Sequence, residues 1–281
     1  MSNYVWLKNR ELVLINGVDH LVFLQGLISN DVFKAAKNQG IYSLMLNPQG
    51  RFLYEFFITK YQDGLVLEID KNYSDSLIKK LSFYKLRSKV EIKKLTDLQV
   101  FFADDEIKIP AIIQFKDPRK VNFGLRFYEK PENITKIIEN LDLKEETLNF
   151  YNNLRLNNKI FDENDLIFDQ SIIVEYGFDD LNAIDYKKGC YIGQELIARA
   201  HYKGQIRKKI FLIEIENLNQ ITKGSEITCD GKKQGVILSS LFYQNKLQAL
   251  ALIKNVDISD NKIDLTALNL KVSDQKISFK K

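Results

Sequence analysis

Nine residues, Lys187-Lys188-Gly189-Cys190-Tyr191-Ile192-Gly193-Gln194-Glu195, place a thiol among lysines and glycines, just ahead of the helix-like run Glu195-Leu196-Ile197-Ala198-Arg199-Ala200. The partial positive charge of a helix N-terminus and nearby ammonium groups both favour thiolate over thiol. Cys190 is therefore a candidate reactive thiol, suited to redox exchange, persulfide handling or contact with a partner, and Lys188 is its candidate charged neighbour. Gly189 and Gly193 permit a tight turn or close approach of the backbone. The competing reading is a small buried hydrophobe, the common fate of a free cysteine. Lys188 has an equally plain alternative as a solvated lysine.

The elements that must position this thiol follow from periodicity and turn chemistry. Residues 11–15 read as a strand, and Asp19 as the N-cap of a helix to about residue 28, with Val22, Phe23, Gly26 and Leu27 inward. Strands at 41–46 and 52–59 flank a turn at Pro48-Gln49-Gly50, and a third follows at 65–69. Residues 73–84 space Leu77, Ile78 and Leu81 as an amphipathic helix does. Strands follow at 89–92 and 99–102, then helices at 133–140 and 145–157. The second of these carries Leu148, Tyr151 and Arg155 near one face, with Glu145 and Glu146 at its N-terminus. Residues 161–169 read as a polar loop and 171–175 as extended. Beyond residue 204 the pattern becomes a strand series at 210–216, 224–229, 235–239 and 246–253, with weaker strands at 263–265 and within 268–279. Asp230-Gly231 is a two-residue hairpin signal. The expected division is a unit at 1–205 and a small antiparallel β-barrel at 206–281.

Composition narrows the classes. The chain has 281 residues, enough for two or three structural units. Its net charge of +4 is too small to argue for nucleic acid, although Arg207-Lys208-Lys209 keeps open an RNA-linked role such as an accessory to tRNA modification. The plainer reading of that cluster is a solvated strand edge. Two cysteines fit a reducing compartment rather than a disulfide scaffold, and are too few for the four thiolates that usually hold an iron–sulfur cluster. With two histidines, no metal site is expected. No signal peptide or membrane span is read, and a cytoplasmic location is expected.

The thiol motif continues through Leu196-Ile197-Ala198-Arg199 and resembles the K-G-C-Y-x-G-Q-E-x-x-A-R signature of the YgfZ family, folate-binding proteins of iron–sulfur cluster assembly and repair related to the aminomethyltransferase (T-protein) of glycine cleavage. The likeness extends to Asn16-Gly17-Val18-Asp19, Phe23-Leu24-Gln25-Gly26, Asn30-Asp31-Val32, Leu46-Asn47-Pro48-Gln49-Gly50-Arg51, Asp117-Pro118-Arg119 and Gly124-Leu125-Arg126. His201 to Lys208 is most similar to the family's mitochondrial branch.

The resemblance implies an α+β fold of aminomethyltransferase type, with interlocked α/β subdomains and a C-terminal antiparallel β-barrel around a folate pocket. It implies tetrahydrofolate or a derivative as cofactor. Implied partners are iron–sulfur assembly proteins or cluster-containing client enzymes, without a membrane and without direct nucleic-acid binding. Tyr151 would offer a ring to the pterin and Arg155 a charge to the glutamate tail. Glu195 and Gln194 would bond the pterin edge, or cap the helix instead. Arg199 could orient Glu195 at the i, i+4 spacing. Asn30 and Asp31 are pocket residues by family position. One departure stands out: where aminomethyltransferases carry an Asp-Asp pair, this chain has Tyr54-Glu55 after Gly50. A carboxylate moved by about 1 Å can cost on the order of 10²-fold in rate. The expectation is thus a folate-dependent assembly factor, with an aminomethyl or one-carbon transferase using Glu55 as the alternative.

Overall fold

The structure, a computed structural model, describes residues 2–37, 39–203, 208–215, 221–254, 270–272 and 275–279. Along the chain, β1 (Asn3–Trp6) and β2 (Arg10–Asn16) precede α1 (His20–Gln25). Next come β3 (Ile41–Leu46), β4 (Phe52–Tyr61), β5 (Gly64–Asp70), α2 (Lys71–Lys85), β6 (Glu91–Leu95) and β7 (Gln99–Ala103). β8 (Ile113–Lys116), β9 (Leu125–Glu129), α3 (Pro131–Leu141), the two-residue β10 (Lys144–Glu145), α4 (Leu148–Asn157) and α5 (Gln194–Lys203) follow. The C-terminal strands are β11 (Lys208–Ile215), β12 (Glu226–Cys229), β13 (Lys232–Tyr243), β14 (Lys246–Lys254), β15 (Leu270–Val272) and β16 (Gln275–Phe279).

Two five-stranded sheets, ordered β3-β4-β5-β2-β6 and β10-β1-β7-β9-β8, share the N-terminal part. They interlock because β1 joins the later strands, while β2 returns to pair with β5 and β6. β11-β14-β13-β12-β15-β16 form a closed barrel, as the α+β expectation required. β3 and β5 are buried along their whole length, as is β4 through Thr59. Strands covered on both faces read as near-continuous apolar runs. One hydrophobic core joins Leu14 and Tyr42 of the first sheet to Phe102 of the second, Tyr151 of α4, Ile197 of α5 and Leu212 and Leu250 of the barrel.

Several local expectations change. α1 stops at Gln25; Phe23 and Leu27 are buried as expected, but Val22 is 73% exposed and Gly26 is exposed too, with Leu24 buried in their place. The early stop is stabilised by Lys188, whose Nζ donates to the carbonyls of Gln25 (2.7 Å), Ile28 (2.6 Å) and Asn30 (3.0 Å). α4 starts after Thr147, whose hydroxyl accepts from Phe150 N; Glu145 pairs with Tyr4 in β10 rather than opening the helix. Residues 173–176 form a 3-10 turn, leaving only Ile172 bridged to Arg51 in extended fashion. β1, β8 and β9 had no sequence signal. Asp230-Gly231 does close a hairpin, with φ of 48° and 74°, and a second lies at Gln244-Asn245, with φ of 49° and 61°. The 205/206 boundary, the strand at 263–265 and Arg207 lie outside the described residues.

Candidate functional site

Acids and arginines in otherwise apolar strands meet around a cavity of about 300 Å³. β2 supplies Arg10, β4 Glu55 and Phe57, β5 Asp70, and α4 Leu148, Tyr151 and Asn152; Arg119 and the turn Asp162-Glu163-Asn164 complete the wall. Arg10 is the hub. Its Nη1 donates to Glu55 Oε1 (2.9 Å) and Glu163 Oε1 (2.8 Å), and its Nε to Glu68 Oε1 (2.9 Å). Glu68, fully buried, also accepts from Arg126 Nε (2.8 Å) and Tyr128 Oη (2.9 Å). Arg119 grips Asp117 through Nε (3.0 Å) and Nη2 (2.8 Å), and both Arg119 and Arg126 donate to the Tyr151 hydroxyl.

Glu55 and Glu163 are 1% and 3% exposed, and among the described residues no hydrogen bond other than the one between the two acids is assigned to the second carboxylate oxygen of Glu163. Two carboxylates this close cannot both ionise cheaply. Burial and the Glu55 charge push Glu163 well above the usual range. Burial opposes ionisation of Glu55 as well, but the Arg10 guanidinium and a hydrogen bond from Glu163 outweigh it and hold Glu55 at about 2. Of the two acids, Glu163 is therefore the one whose protonated form the surroundings favour. Asn9 Oδ1 is a buried acceptor at the cavity without a donor among the described residues.

The residues singled out by sequence divide between this cavity and elsewhere. Tyr151 lines it, with its hydroxyl already bonded and its ring edge-on to Phe102 (5.0 Å between centroids). Arg155 is buried, ion-paired with Asp162 (3.0 Å) and hydrogen-bonded to Asp165 and Ile160 O, so it holds the 160–165 turn and is not available to a folate tail. Asn30 Nδ2 bonds the carbonyls of Tyr42 and Asn182, both at 2.8 Å, and Asp31 Oδ1 accepts from Gln25 and Phe33. Both stabilise the backbone after α1 and lie outside the cavity wall. Glu195 and Arg199 are exposed on α5, and Gln194 accepts from Tyr191 N (3.1 Å).

Cys190 is exposed in the loop before α5 and does not line the cavity. The loop is fixed from both sides. Lys188 reaches under it to α1, where burial lowers its pKa to about 8, and its ammonium lies 4.9 Å from the Tyr191 ring centroid. At Gly193 (φ +86°) a Cβ would stand 2.5 Å from Asn47 O, so this glycine packs directly on the Asn47-Pro48-Gln49-Gly50 turn. Gly189 faces open space and needs no such freedom. Lys188 is thus a backbone clamp rather than a free cation beside the sulfur.

Sequence reasoning missed Arg10, Glu68, Asp162 and Glu163. The available signal was a single charge inside an apolar strand, as in Leu65-Val66-Leu67-Glu68-Ile69. Such residues are almost never fully buried unless paired.

No family model matches the chain. The curated proteins it is similar to include several named iron-sulfur cluster assembly factor IBA57 homolog, mitochondrial. That of Mycosarcoma maydis is 36% identical over 226 residues, covering 72% of this chain and 54% of the relative. That of Dictyostelium discoideum is 30% identical over 250 residues, covering 73% and 60%. That of Neosartorya fischeri is 29% identical over 266 residues, covering 79% and 60%. The chain thus spans a little over half the length of these relatives. They are named mitochondrial, which corrects the cytoplasmic expectation. Among solved structures it matches aminomethyltransferase T of the glycine cleavage system from Bartonella henselae, with a TM-score of 0.72, 12% identity and coverage of 90% of this chain and 78% of that one. No helix among the described residues is long and apolar enough to cross a membrane.

Proposed function

The chain is a homologue of curated iron–sulfur cluster assembly factors built on the aminomethyltransferase T fold, and on that basis we propose that it is a tetrahydrofolate-binding factor for maturing or repairing iron–sulfur proteins, presenting Cys190 to its partners. The observation that carries the folate reading is a cavity of about 300 Å³ that sets the Tyr151 and Phe57 side chains beside the Glu163 carboxyl and a buried acceptor, Asn9 Oδ1, that has no donor among the described residues. A ligand dense in N–H groups on a flat heterocycle satisfies such acceptors, and the reduced pterin of tetrahydrofolate has that character. About 300 Å³ suits the pterin head with its tail directed outward. Tyr151, Phe57 and Leu148 would enclose the ring, Asn9 Oδ1 would accept from its edge, and the Glu163 carboxyl would lie against it. Bound folate supplies a one-carbon carrier and a reductant. The chain's own groups orient it, exclude water and hold one proton at Glu163.

Cys190, Gln194, Glu195 and Arg199 make the partner-facing part of the proposal, with Lys188 and Gly193 setting the loop. Partners in this reading are assembly proteins or cluster-containing clients. The transferase alternative is weaker. Glu55 is tied to Arg10 and held near 2, a poor general base at neutral pH.

Two measurements test the reading. In calorimetric titration with tetrahydrofolate, Glu163→Ala weakens binding by about tenfold or more, the loss of at least one buried hydrogen bond. Glu195→Ala leaves that binding unchanged; the opposite ranking removes the cavity assignment. In cells lacking the natural protein, Cys190→Ala fails to restore cluster-enzyme activity while retaining folate binding. Full restoration removes the role given to the thiol.

A further inference from the structure

The segments that wall the acidic cavity have a second face. Arg119 and Asp162 line the first cavity, while their neighbours Lys120 and Phe161 line another, of about 410 Å³, between these segments, the 174–181 region and the start of β11. Its polar rim is cationic: Lys120, Lys159, Lys208 and Lys209 against Glu175 and Asp180. Four positive and two negative charges leave an excess of two. Lys208 Nζ spends its charge on Glu175 Oε2 at 3.1 Å. Lys120 Nζ donates to the neutral carbonyl of Asn158 at 3.0 Å and keeps its charge, and no ion pair is recorded for Lys159 or Lys209 among the described residues. The floor is apolar, built from Phe161, Val174, Leu181 and Ile210.

Lysines scattered over a convex surface attract polyanions loosely. Here they ring a concave site of ligand size over apolar side chains, which favours a compact ligand with both characters. We infer that this cleft binds a small organic dianion, its apolar body on Phe161, Val174 and Ile210 and its phosphate or paired carboxylates held by Lys120, Lys159 and Lys209. The site is separate from the folate cavity and does not depend on that reading. The net charge of the rim sets the ligand at two negative charges, and the apolar floor distinguishes it from inorganic phosphate.

The probes are 1-naphthyl phosphate and naphthalene-1,4-dicarboxylate, titrated calorimetrically into the full chain at low salt. At least one binds, and affinity falls as salt rises. The preferred probe tells phosphate from dicarboxylate chemistry. The double variant Lys159→Ala/Lys209→Ala weakens binding by about tenfold or more. Both side chains are exposed, so its thermal melting and its tetrahydrofolate affinity stay at wild-type values. The inference is overturned if neither probe binds at millimolar concentration, if the double variant binds undiminished, if inorganic phosphate binds as well as the naphthyl ester, or if the double variant loses tetrahydrofolate binding in parallel.

Discussion

At the residue scale the governing fact is the closeness of two buried carboxylates. Arg10 bonds Glu55, Glu163 and Glu68, and burial together with the Glu55 charge raises Glu163, favouring its protonated form. Glu163 faces Glu55 and Arg10, with Asp162 adjacent in the same turn. A carboxyl raised above its usual 4.5 binds more protons folded than unfolded, so its contribution to stability is complete below 4.5 and is lost as pH rises through the folded value. Asp162, raised by burial to about 6, acts with the same sign and over a window ending near pH 6. Glu163→Gln keeps a donor toward Glu55 and does not titrate. Urea unfolding at pH 5, 6, 7 and 8 should show its stability gaining on wild type as pH rises above the ordinary carboxyl range. A variant that loses ground as pH rises contradicts a raised Glu163.

At the element scale, α5 and its preceding loop are held by two unlike devices, a lysine clamp onto α1 and a glycine contact onto the Pro48-Gln49-Gly50 turn. Gly193→Ala adds a Cβ at 2.5 Å from a backbone oxygen in a left-handed conformation, so the loop must move. The expected cost is about 1–3 kcal/mol in chemical unfolding. The reaction rate of Cys190 with an aromatic disulfide should change with it, since the thiol rides on the same loop. An unaltered rate together with unaltered stability would mean that the loop is not fixed by this contact.

Across the whole molecule, Glu68 joins the two interlocked sheets. It leaves β5 of one and accepts from Arg126 and Tyr128 on β9 of the other, with Arg10 completing the set. Removing one member of a buried ion network strands the rest, at about 3–5 kcal/mol. Glu68→Ala should therefore lower unfolding stability by that amount. On the folate reading proposed above, it should also weaken tetrahydrofolate binding indirectly, because Arg10 loses an anchor. Tetrahydrofolate at about a hundred times its dissociation constant should stabilise wild type by about 2.7 kcal/mol.

The residue order alone sufficed for the apolar strands around Glu55, the amphipathic α2, the Asp230-Gly231 hairpin and the C-terminal strand series, because each is written in local periodicity or turn chemistry. The long thiol signature pointed to the iron–sulfur assembly homologues for the same reason: it is contiguous. It also marked a thiol that the fold leaves exposed. What it did not contain was partnership across distance. Arg10 meets Glu163 over 153 positions of chain, and Lys188 meets Gln25 over 163. Such pairings arise only when interlocked sheets fold charges into a shared low-dielectric interior, where each must find a counterion or a proton. That is why Arg155 and Lys188 became internal braces, while the buried acids that line the cavity came from strands and a turn that looked unremarkable in one dimension.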